Sequence, residues 1–261
     1  NTLFPYTTLF RSLDFDAEVP VTDEAGRPVT LWDGVTYTTS AATGEEVPDE
    51  EARMPLYRYT NPRKAQWPEA EFVVGNPPFI GNKRMRTALG DGYVEALREC
   101  WDQVPESADY VMYWWHQAGE LTRQGKLHRF GLITTNSLRQ SFNRRVLRAH
   151  MEAKKPLSLV FAVPDHPWVE ASDGADVRIS MTVGAAGDRE GTLATVQREQ
   201  AGDGEGTEVA LLRRHGKLWP DLTVGANVAG ALPLQANAGL SNRGVIPHGA
   251  GFIIEPEQGE A

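Results

Sequence analysis

Cysteine is almost absent from this chain. One thiol, Cys100, among 261 residues rules out an internal disulfide and suits a reducing compartment. It sits in a helical pattern with Tyr93, Leu97, Trp101 and Val104 and reads as a half-buried structural thiol. Histidine is scarce as well: six residues, none in His-x-x-x-His spacing, so no metal site is expected. No apolar run approaches the roughly 20 residues of a membrane span. Repeats, low-complexity tracts and a secretion signal are missing too, and a cytoplasmic protein is expected.

Positive charge is also in short supply, with 26 Lys and Arg against 35 Asp and Glu. Taken whole, that balance argues against a polyanionic partner, but its distribution along the chain argues the other way. Residues 13–54 hold eleven acids against two arginines, whereas residues 121–155 hold nine basic residues against one acid, Glu152. A basic stretch of that kind either meets phosphates or is a solvated helix face.

Residues 2–12, "TLFPYTTLFRS", translate a common short-read sequencing adapter. Residues 1–12 are therefore set apart from fold reasoning, and the chain is expected to be a fragment that starts inside a longer gene. Residues 13–54 read as an acidic insertion or hairpin, with "DEAGRP" as a turn, and residues 55–70 as a Pro-interrupted connector. From residue 71 strands alternate with helices. A buried strand is expected at 72–74 and helices at 91–103, 107–124 (Ser107 as N-cap, Gly125 as stop) and 141–153. The second helix, "YVMYWWHQAGEL", is apolar on nearly all sides and must be deeply packed. Buried runs "RFGLITT" and "LSLVFAV", then "DVRISMTVGA" and "TLATVQRE", complete an α/β sheet expected to be largely parallel with antiparallel strands late. From residue 213 the texture becomes Gly/Ala/Asn-rich, which marks the entry to another domain after 55–212.

The densest chemistry lies in "FVVGNPPFIG". Two prolines remove two backbone donors and fix two φ angles, so a strand ends in a stiff, extended tetrapeptide. Asn76 offers a side-chain oxygen, Pro77 a carbonyl pinned by Pro78, and Phe79 a ring face. Adenine's exocyclic nitrogen is a poor nucleophile because its lone pair is delocalised. Two preorganised acceptors aimed at its hydrogens favour a more tetrahedral, more reactive nitrogen. A ring beside them can stack on a base rotated out of its duplex.

"GNPPFIGNKRM", "ADYVMYWWHQAGEL", "GLITTNSLRQ", "DHPWVEASDGADVRISM" and "PHGAGFII", in this order, resemble the class I S-adenosylmethionine-dependent DNA adenine-N6 methyltransferases. The resemblance is to the modification part of type IIG restriction–modification enzymes. It implies the C-terminal half of a Rossmann-like sheet, mixed parallel and antiparallel, followed by the start of a target-recognition region at 213–261. It implies S-adenosyl-L-methionine as cofactor, double-stranded DNA with a flipped adenine as partner, and a prokaryotic or phage source. Asn76, Pro77, Pro78 and Phe79 become the catalytic motif.

Lys83, Arg84 and Arg86, just past the turn, meet phosphates or start a solvated helix. Asn136, Arg139, Arg144 and Arg145 follow the second strand's carboxyl end, where α/β sites assemble, and are expected to contact DNA. Asp165, His166 and Trp168 line the base pocket or form a structural corner. One departure stands out. The family's Gly-rich cofactor loop has no match in residues 13–70, so the chain as written is expected to bind no cofactor and transfer no methyl group. A cytosine-C5 mechanism is disfavoured because Cys100 follows Glu99 rather than a proline. Cytosine-N4 transfer, methylation of a protein glutamine, and a non-catalytic specificity module remain the alternatives.

Overall fold

In a computed structural model, residues 11–40, 43–167, 177–201, 207–227 and 235 are described. Eight short strands open the chain: β1 (Leu13–Asp14), β2 (Ala17–Pro20), β3 (Thr30–Trp32), β4 (Tyr37–Thr39), β5 (Glu46–Pro48), β6 (Arg53–Pro55), β7 (Tyr57–Thr60) and β8 (Arg63–Lys64). They pair antiparallel from the outside inward, β1 with β8, β2 with β7, β3 with β6 and β4 with β5. The acidic segment is thus one long, interrupted two-stranded ribbon. Asp23 organises the expected "DEAGRP" turn: its carboxylate accepts from the Ala25 and Arg27 amides and pairs with the Arg27 guanidinium. The ribbon's base is tied into the fold by Ser12, which is buried. The Ser12 carbonyl accepts from Trp101 Nε1 at 2.8 Å, and its hydroxyl meets those of Tyr93 and Tyr110. Packed structure therefore reaches back to a residue that the sequence set apart.

The main body is a six-stranded sheet. Its strands are β9 (Phe72–Gly75), β10 (Arg129–Thr135), β11 (Leu157–Pro167), β12 (Arg178–Ala186), β13 (Gly191–Ala201) and β14 (Thr207–Gly216), in the order β14-β13-β11-β12-β10-β9. β9 and β10 run parallel, as do β11 and β13, and the other three neighbours are antiparallel. The sheet is therefore mixed rather than largely parallel. β12 follows β11 too closely for a crossover helix, so it must turn back, and it wedges between β10 and β11. β14 carries the sheet beyond residue 213, and the unit that contains it ends at Gly225.

The helices are α1 (Met85–Leu89), α2 (Asp91–Cys100), α3 (Val111–Arg123) and α4 (Ser141–Met151). α3 is the core. Every residue from Val111 to Gly119 is buried, as its all-round apolar sequence demands. Trp115 stacks edge-on against Phe130 of β10, and its indole nitrogen donates to Thr182 Oγ1 at 3.2 Å. Gly184 leaves the room for that ring: a Cβ there would lie 2.3 Å from Phe130. α3 ends at Gly125 in the left-handed region (φ 77°), the expected stop. Its start, however, lies at Val111 rather than beside Ser107. The Asp109 amide donates to Asn143 Oδ1 and the Tyr110 amide to the Ile80 carbonyl, so the preceding turn is committed elsewhere.

α2 stops at Cys100 rather than 103, and α4 at Met151 rather than 153. α2 lies directly on the ribbon, since a Cβ on Gly92 would fall 1.7 Å from the Tyr57 carbonyl oxygen. A further correction concerns β9, which is not a buried strand. Val73 is buried, but Phe72 is 58% and Val74 86% exposed, because they point to the opposite face of this edge strand, which is left largely uncovered by the described residues. Among the described residues no helix is long and apolar enough to cross a membrane.

Candidate active site

β9 delivers Gly75 to the end of the sheet, and the Asn-Pro-Pro-Phe turn begins there. Pro77 is buried, Pro78 and Phe79 are half-buried, and Asn76 is exposed. Among the described residues, neither the Asn76 side chain nor the Pro77 carbonyl takes part in a hydrogen bond. The rest of the loop is held tightly. The Ile80 carbonyl accepts from the Tyr110 amide at 2.9 Å, and the Asn82 amide donates to Asp109 Oδ1 at 2.9 Å. The turn is thus clamped from behind while its two acceptors stay free in front.

The clamp is a group that sequence reasoning missed. Asp109 Oδ2 accepts from Ser137 Oγ at 2.5 Å and from Asn143 Nδ2 at 2.7 Å, while Asn143 Oδ1 takes the Asp109 amide at 2.8 Å. Asn143 Nδ2 also reaches the Ser137 carbonyl at 3.0 Å. One carboxylate therefore joins the loop after β9, the 3₁₀ turn Asn136–Arg139 after β10, and α4. The available signal was a lone acid in front of an all-apolar helix and an Asn inside a basic one. Nothing local joins the two.

Of the expected phosphate contacts, Lys83 and Arg84 line a cavity of about 540 Å³ beside the turn, together with Phe79, Asp109, Ser137 and Phe142. Arg145 is not in the lining but lies over the ring of Phe142, with its guanidinium 5.3 Å from the centroid. Arg144 lies half-buried on the same helix. Arg86 is elsewhere: its guanidinium is held by the carboxylates of Asp91 and Glu95, against α2.

The other expected residues gather around the end of β11. Asn136 Nδ2 donates to Asp165 Oδ1 at 2.8 Å, and Ser180 Oγ donates to Asn136 Oδ1 at 3.1 Å. The Arg178 guanidinium grips the Asp165 carboxylate and holds that carboxyl below its ordinary range. Asp165 takes a positive φ of 53° at a register shift in β11. His166 Nε2 faces Glu199 at 3.3 Å, and its Nδ1 is buried without a hydrogen-bond partner among the described residues. Arg139 donates to the Asp221 carbonyl and lines a second cavity of about 520 Å³ with Asp165 and His166. Asn136, Arg139, Asp165 and His166 are thus brought together. Trp168 lies outside the described residues.

Residues 32–194 match the family described as MmeI, DNA-methyltransferase domain. The chain belongs to this family. Two solved structures are similar in shape to this MmeI-family domain. The first is the type IIL restriction–modification enzyme MmeI in complex with DNA, at 19% identity and a TM-score of 0.44, over 60% of this chain and 20% of that one. The second is a modification subunit of a putative type I restriction enzyme from Vibrio vulnificus YJ016, at 12% identity and 0.34, over 48% and 25%. The chain thus spans about a fifth and a quarter of the lengths of these relatives. No curated protein matches it.

The β9 turn by itself offers no cradle of backbone amides of the kind a glycine-rich loop makes. It leaves its strand through Gly75 into two prolines, which cannot present the run of amides that such a loop supplies.

Proposed function

We propose that this domain serves a DNA adenine-N6 methyltransferase of a restriction–modification system, of the type IIG kind and cytoplasmic in a prokaryote or phage. S-adenosylmethionine is the methyl donor in this reading. The single observation that carries it is the pair of unengaged acceptors at the end of β9, Asn76 Oδ1 and the Pro77 carbonyl, on a loop fixed from behind. Two acceptors suit the two hydrogens of an exocyclic amino group, and the proline-stiffened backbone that carries them keeps reorganisation small as charge develops on the nitrogen. Phe79 supplies the stacking face for a base removed from its duplex. Asp165 and His166, at the end of β11, stand on the same side of the sheet as a second wall for that base.

The test is mass spectrometry of nucleosides and proteins from cells fed labelled methyl donor and expressing the protein, both alone and joined to the glycine-rich loop of a family member. N6-methyladenine that disappears with Asn76→Ala supports the reading. N4-methylcytosine, or label on a protein glutamine, selects an alternative acceptor. DNA binding with no methylation in either form selects the non-catalytic module.

A further inference from the structure

A second aromatic ring faces the cavity beside the turn. Phe142 in the first turn of α4 is 48% exposed, whereas Val146 and Leu147 of the same helix are buried. Leaving a phenyl ring half in water forgoes hydrophobic stabilisation, which makes its position informative. Arg145 lies over the ring and restrains it through a cation–π contact. From the facing wall come Lys83 and Arg84, exposed and without ion pairs among the described residues. The one carboxylate in the lining, Asp109, already has hydrogen-bond donors on both oxygens. At about 540 Å³ the cavity is in the size range of small-ligand sites. It opens where the parallel strands β9 and β10 end, the edge at which α/β sheets collect ligands.

Asn76 and Pro77 are not among its lining residues, which begin at Phe79. Phe79 does line it, so the cavity adjoins the place of the flipped base through that ring, but it does not contain the acceptors that would hold the base's amino group. We propose that this cavity is a second nucleotide subsite. It takes one nucleotide of the bound DNA next to the target, with its base against Phe142 and its phosphate among Lys83, Arg84 and Arg145. The inference rests on the DNA reading above. Every base has a π-face, so the subsite adds affinity without reading sequence.

The experiment is fluorescence anisotropy of labelled DNA with the 261-residue chain across a salt series. Phe142→Ala is expected to weaken binding about tenfold or more, the scale of one lost base stack, while leaving the salt slope unchanged. Phe142→Leu keeps apolar bulk without a flat face and is expected to weaken it similarly, whereas Phe142→Trp retains it. Lys83→Gln with Arg84→Gln is expected to shrink the slope by about two, one for each lost phosphate contact. Thermal melts of each variant show that it is folded. If Ala, Leu and wild type bind alike, the subsite is overturned and the DNA reading stands. If the unsubstituted chain binds no DNA, both fall.

Discussion

At the scale of single residues, Asn76 and Asp109 are opposites. Asn76 is exposed and makes no hydrogen bond among the described residues, so the fold has no use for it. Asn76→Ala should then shift folding stability by no more than about 0.5 kcal/mol, as for an ordinary surface change. In a form of the protein that transfers methyl groups, the same change should lower the rate about 10²-fold or more. Parallel melts and rate measurements check both halves. Asp109 serves structure first. Asp109→Asn puts an amide N–H₂ either against the Asn82 N–H or against the Ser137 hydroxyl and the Asn143 side-chain amide, and its one remaining oxygen serves only the other side. That should cost about 1–3 kcal/mol. Hydrogen–deuterium exchange should show the loop at 78–84 opening faster while β10 and β12 stay protected.

At the scale of elements, α3 and α4 meet through two buried imidazoles. His150 Nε2 lies 2.9 Å from His116 Nδ1, with Trp101 and Trp115 edge-on to the pair. Burial lowers both from the ordinary 6.5, His116 to about 4 and His150 to about 3. Glu120 pulls the other way on His116, and the neighbouring His116 and Arg123 press His150 further down. Both rings are therefore neutral when folded, but take up protons near 6.5 when unfolded. The stability from their neutral packing is complete above pH 6.5 and is lost as pH falls from there towards 4. Urea midpoints measured across that window should drop in the wild type and drop less in the double variant His116→Gln, His150→Gln. Local features of these elements were legible in the sequence: the stiff turn, the burial of α3, the stop at Gly125. Each is set by period or by a breaker residue within a few positions. What escaped depends on distant partners. The run at 72–74 reads the same whether one or both faces of its strand are covered, and only the packing of the whole sheet shows that the face of Val74 is open. The early end of α2 and the late start of α3 likewise reflect contacts far along the chain, as does the Asp109–Asn143 link.

At the scale of the whole molecule, the ribbon runs from Leu13 to Lys64, past the insertion or hairpin read at 13–54, and no single short, polar strand in it announces its partner. Its pairing is nested, and nesting places Leu13 opposite Lys64 where the arm leaves and returns. Along its length the contacts with the rest of the fold are uneven. Tyr57 and Gly34 touch α2 and α1, while β4 and β5 pair with each other further out. At the inner end of that outermost pair the Asp49 amide already donates to the Thr36 carbonyl at 3.0 Å, so the two strands are within reach of a tight turn. Replacing residues 37–48 by Asn-Gly should therefore leave the melting temperature within a few degrees and DNA binding unchanged. A loss of folding would show that the outer rung is structural. Such an arm behaves as a telescoping element. Its length can change rung by rung, by insertion or deletion at the far end, while the two ends that join the main body stay in register. Variation in this family can then accumulate there without being felt at Asn76.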